Sequence, residues 1–101
     1  MTDEQRSLRS IACKARSVLK RAGIRRSSFH RIAGWDDGYH VTVDYRREVH
    51  VEWNTYEGNL FDPDDWAANL ARCALALESA GMSARKHPHL GCLLVTRGAA
   101  Q

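Results

Sequence analysis

The chain has 101 residues, 15 Lys and Arg against 12 Asp and Glu, and a formal net charge of +3. That length holds one small core, and 44% apolar residues with so little net charge exclude a disordered chain. No apolar run approaches the roughly 20 residues of a membrane span, and Met1 leads straight into Thr-Asp-Glu, so a cytoplasmic domain with no membrane contact and no signal peptide is expected.

In chain order, Thr2 and Gln5 have the spacing of a capping box. Leu8, Ile11, Ala12, Ala15, Val18, Leu19 and Ala22 then recur at three- and four-residue steps, which predicts a helix over about 3–22 with Gly23 as its stop. Away from that stripe lie Arg6, Arg9, Cys13, Arg16 and Lys20, and Arg25 and Arg26 follow the helix. Residues 27–34 read as a weak strand, with Phe29 and Ile32 on opposite parities. Asp37-Gly38 reads as a turn.

Tyr39, Val41, Val43 and Tyr45 alternate with His40, Thr42 and Asp44, and Val49, Val51 and Trp53 alternate with His50, Glu52 and Asn54. Joined through residues 46–48, these strands set Tyr45 opposite Val49, Val43 opposite Val51 and Val41 opposite Trp53. Asp44 then faces His50, and Thr42 faces Glu52. After a turn at Glu57-Gly58-Asn59, a second helix opens on Asp62 as N-cap and Pro63 as first residue, with Asp64 and Asp65 against its positive end. Trp66, Leu70, Cys73, Ala74 and Leu77 form its inner stripe, and Gly81 ends it. A final hairpin, 82–86 and 92–97, turns around His87-Pro88-His89-Leu90-Gly91.

The predicted order is α-β-β-β-α-β-β. Clustered strands argue for the α+β class, an antiparallel sheet with both helices packed on one face, in a single domain over 1–98 with a short tail at 99–101. Trp53 and Trp66 are expected to be buried together between sheet and helices.

Two resemblances follow from these elements. The Ala-rich stretch from Trp66 to Met82, ending in Ala80-Gly81, and the closing Leu93-Leu94-Val95-Thr96-Arg97 resemble the C-terminal half of small uncharacterised proteins of actinobacteria and their phages. That implies a high-GC source and no activity. The first five elements resemble the α-β-β-β-α order of double-stranded RNA-binding domains. In that family a Lys cluster at the start of the second helix grips phosphates; here Asp62, Asp64 and Asp65 stand in that place.

Charge is the most distinctive property. Residues 1–34 carry a net +7, residues 35–65 a net −7 and residues 66–101 a net +3. Arg6, Arg9, Arg16, Lys20, Arg25 and Arg26 therefore form the candidate surface for nucleic acid or for an acidic protein. The aromatic residues fall in the strands, away from these basic ones, which argues against base stacking. The alternative is a homodimer or adaptor using an apolar interface of Ala68, Leu75 and Leu94. Cys13, Cys73 and Cys92 fit no disulfide framework or metal pair, and no His-Glu-x-x-His or phosphate loop is present. The expectation is a non-catalytic module with no cofactor, no metal and no small-molecule substrate. The five histidines remain open as to whether they converge.

Overall fold

The computed structural model describes residues 2–32, 34–44, 46–56 and 60–98; Tyr45, the turn at 57–59 and the tail at 99–101 lie outside the described residues. Helix α1 (Asp3–Arg21) begins with the expected box: the Thr2 hydroxyl accepts from the Gln5 amide at 3.1 Å, and the Gln5 side chain accepts from the Thr2 amide at 2.9 Å. Helix α2 (Pro63–Ser79) begins with the Asp62 carboxylate accepting from the amides of Asp64 and Asp65.

Both helices stop in the same way. The Ile24 amide donates to the Leu19 carbonyl and the Gly23 amide to that of Lys20; in α2, Met82 donates to Leu77 and Gly81 to Glu78. Gly23 and Gly81 are left-handed, at φ 75° and 84°, so each stop is a Schellman motif closed by a hydrophobic pair, Leu19 with Ile24 and Leu77 with Met82. The buried positions repeat 58 residues apart: Ala12 and Leu70, Ala15 and Cys73, Leu19 and Leu77, Ile24 and Met82. Only the Leu-x-x-Ala-Gly of each stop is identical, and so the sequence shows no repeat on its face.

Strands β1 (Phe29–His30) and β2 (Gly34–Trp35) pair only with each other. Strands β3 (Gly38–Val43), β4 (Val49–Asn54), β5 (Ser83–Lys86) and β6 (Leu93–Thr96) form one antiparallel sheet in the order β3-β4-β6-β5. The α-β-β-β-α-β-β order holds, with its weak first strand realised as the β1–β2 pair outside the main sheet. Both helices pack on one sheet face, α1 against β3 and α2 against β5. The core lies between, built on Leu19, Leu77, Val49, Val51, Val95 and Cys73. No helix of the described residues is long and apolar enough to cross a membrane.

Three details differ from the sequence reading. The hairpin register is shifted by two, pairing Val43 with Val49, Val41 with Val51 and Tyr39 with Trp53; Thr42 thus faces His50, and His40 faces Glu52. The cause is Asp44, whose Oδ1 accepts from the Arg46 and Glu48 amides at 2.9 and 3.1 Å and turns the chain early. An even shift keeps the apolar side facing the core. Trp53 and Trp66 are half-buried at the rim instead of inside, because one stands near the end of β4 and the other in the first turn of α2. Val43, on the apolar parity of β3, is exposed on the edge strand, in an open groove beside α1.

Each helix also guards the sheet border beside it. Arg16 of α1 donates to the Val41 carbonyl of β3 at 3.2 Å, and Glu78 of α2 accepts from the Ala84 amide of β5 at 2.9 Å.

Candidate functional site

The six basic residues are not one free face. Arg6 pairs with Asp3 at 3.7 Å, Arg16 is held by the Val41 carbonyl and Arg25 by Asp36 at 3.3 Å. Arg9 and Arg16 border a groove of about 780 Å³ between α1 and β3, floored by Leu8, Ala12 and Val43. Lys20 and Arg26 are exposed and do not line that groove.

Beside Arg26 the structure assembles an aromatic surface that the sequence reading missed. Phe29 of β1 stands across from Trp35 of β2, with ring centroids 5.3 Å apart, and Trp35 meets His40 of β3 at 4.7 Å. With Ser27, Ser28 and Arg26 these rings line a shallow cavity of about 350 Å³, and Phe29 is 61% exposed. The separation of aromatic from basic residues along the chain therefore does not survive folding. Its one sequence signal is the pair Phe29 and Trp35 flanking Gly34, in a segment whose parity is unreadable.

Asp36 holds this surface in place. Its carboxylate accepts from the Ser28 amide and lies 3.3 Å from Arg25 and 3.4 Å from His30, while its carbonyl accepts from the Ser27 hydroxyl at 2.7 Å. The Ser28 amide chiefly lowers the Asp36 pKa from its ordinary 3.8; partial desolvation opposes this, and His30 and Arg25 assist. A depressed carboxylate stabilises the fold above its unfolded value and loses that contribution as pH falls through the folded one. Acidification below 3.8 should therefore loosen the β1–β2 pair before the core, and Asp36→Asn should do the same at neutral pH. Faster amide exchange at Ser28, with the amides of α2 unchanged, is the expected readout.

A second cluster lies on the sheet face away from the helices. Glu48, His50 and His87 present ligand atoms that all lie within 4.8 Å of one another. His50 Nε2 is 3.1 Å and His87 Nε2 3.2 Å from the same Glu48 oxygen, and both imidazoles are nearly inaccessible, with side chains 4% and 5% exposed. Asp44 Oδ2 stands 3.6 Å from His50 Nε2. The hydrogen bond from His50 is the main influence holding Glu48 below its ordinary 4.5; desolvation opposes it, and His87 adds to it.

The His87 tautomer is settled by its surroundings. Its Nδ1 accepts from the amides of His89 and Leu90, each at 3.1 Å, so the proton sits on Nε2 and is donated to Glu48. A metal ion on Nε2 would move that proton to Nδ1 and release both amides, costing about 1–3 kcal/mol for two neutral hydrogen bonds. The observed tautomer therefore weakens any metal site at His87 Nε2. The register places His50 across β6 from the loop carrying His87, a convergence that local spacing does not reveal.

The proposed apolar interface is split. Ala68 and Leu75 lie on the outer side of α2, Leu75 being 68% exposed, whereas Leu94 alternates with buried Leu93 and Val95 and faces the opposite side of the sheet. Burial pushes the Cys73 thiol up to about 11 and, with help from Glu52, Glu48 and Asp44, the Cys92 thiol up to about 11, so neither is a ready nucleophile. Cys13 is exposed, on the wall of the α1–β3 groove. Compared with known proteins, the chain matches no family model, no curated protein and no solved structure.

Proposed function

We propose that the protein is a non-catalytic binding module for single-stranded nucleic acid. The reading is carried by the Phe29–Trp35–His40 surface beside Arg26, which unites stacking and charge in one place. Bases stack on exposed rings whatever their identity, at about 1–3 kcal/mol each, while Arg and Lys follow the phosphates. Arg26 lines the same cavity as the rings, Lys20 is exposed at the end of α1, and Arg9 and Arg16 extend the basic surface along α1. The Asp-rich start of α2 does not supply the phosphate grip of double-stranded RNA-binding domains, which favours a single strand as partner.

Fluorescence anisotropy with labelled single-stranded DNA and RNA, against a duplex and an acidic peptide, tests this. Trp35→Ala should weaken single-strand binding about tenfold or more and leave its salt slope unchanged. Lys20→Ala with Arg26→Ala should flatten the slope by about two phosphate contacts. Absence of single-strand binding at low salt would sink the proposal. The second reading, an acidic peptide lying in the groove between α1 and β3, is favoured by the Arg9 and Arg16 side chains and the apolar floor there; preferential binding of the peptide would select it.

A further inference from the structure

We infer that Glu48, His50 and His87 form a binding site for a divalent transition-metal ion of the zinc class, independent of the aromatic surface. Zinc takes imidazole nitrogen and carboxylate oxygen at about 2 Å, so neighbouring ligand atoms in a tetrahedral shell lie about 3.3 Å apart. The two Glu48 edges, 3.1 Å to His50 and 3.2 Å to His87, already have that length. Two neutral imidazoles and one carboxylate suit zinc, cobalt or nickel and not the oxygen shells of calcium and magnesium.

The scaffold is built for such a site. His50 and His87 are buried on a sheet face that neither helix covers, and Glu48 reaches both imidazoles. Three ligands leave a fourth position, with the Asp44 carboxylate 3.6 Å from His50 as its nearest negative neighbour. A 2+ ion would find carboxylate charge on two sides, from Glu48 and Asp44.

Uptake has a balanced proton account. At His87 the Nε2 proton moves to Nδ1 as the metal–nitrogen bond forms, and no proton is released there. That exchange carries a penalty, because His87 Nδ1 then faces the amides of His89 and Leu90 with a hydrogen in place of a lone pair. Those amides must swing away, so metal binding is coupled to a rearrangement of the loop at 87–92. The site is therefore a linkage between an ion and a loop conformation, and the loop borders Trp66 through Gly91.

The test is titration of the purified metal-free protein with Zn²⁺, and with Co²⁺ as a spectroscopic probe, followed by calorimetry and amide NMR. One equivalent should bind, with the His89 and Leu90 amides showing the largest shifts. His50→Ala and His87→Ala should each cost at least about 100-fold in affinity, and Glu48→Gln about 10-fold or more. His89→Ala and Cys13→Ser should leave affinity unchanged, which separates this site from adventitious binding by the exposed His89 and Cys13. No saturable binding, or binding whose NMR shifts spare His89 and Leu90 in the wild-type protein, overturns the inference; the wild-type readout stands even if a histidine variant fails to fold.

Discussion

Gly38→Ala is expected to be among the most damaging single substitutions in the chain, at about 3 kcal/mol or more. Gly38 has φ +148°, and a Cβ there would lie 2.5 Å from the Arg26 carbonyl carbon and 2.6 Å from the Arg25 carbonyl oxygen, both backbone atoms that cannot rotate away. The segment they belong to is bonded to Tyr39, whose amide donates to Arg25 and whose carbonyl accepts from Ser27, each at 2.9 Å. One methyl group thus strains the backbone and lifts residues 25–27 from β3, taking the aromatic surface with them. Gly23→Ala is the control: its φ of +75° is also left-handed, but nothing lies within 4 Å of the new Cβ, so a loss of only about 1 kcal/mol is expected. Urea unfolding of both variants, with exchange rates at Ser27 and Tyr39, separates a local clash from the general cost of a left-handed residue.

Leu77→Ala should cost about 2–5 kcal/mol, a large share of the roughly 5–15 kcal/mol that holds a small domain together. Leu77 is fully buried, touches the centre of the core and is half of the hydrophobic pair that closes the second Schellman motif. Truncation leaves a cavity and also frees Met82, which begins the path into β5. Trp53→Ala, for all the size of its ring, should cost less, because Trp53 is half-exposed at the end of β4 and its neighbours can settle into the vacated space. A fall in the urea midpoint for Leu77→Ala larger than that for Trp53→Ala, at an unchanged slope, is the expected outcome.

The helices were legible because their signals are local. A capping box, an aspartate N-cap before proline and two glycine stops each concern residues within one or two turns, and no distant contact overrides them. Alternation in β3 and β4 was legible for the same reason, and the facing survived a register error because side chains repeat every second residue. What could not be read was adjacency. The order β3-β4-β6-β5 inserts the last strand between two earlier ones, and only that insertion brings His87 to Glu48 and His50. Likewise, Phe29, Trp35 and His40 come from three separate strands whose meeting depends on Asp36 gripping the Ser28 amide. The split of Ala68 and Leu75 from Leu94 has the same origin: parity says that two residues point outward, but not that they do so from opposite faces of the molecule.

The matched helix stops give the two halves one design. Two segments that bury equivalent positions 58 residues apart, end on the same Leu-x-x-Ala-Gly and turn with the same pair of backbone bonds present the sheet with two helices, each of which turns its next apolar residue back into the core. That turn depends on glycine, which alone supplies the left-handed conformation cheaply, while the core positions hold Ala in one helix where the other has Leu, or Ile where the other has Met. The β1–β2 pair and its aromatic surface have no counterpart between α2 and β5, so the two halves differ there.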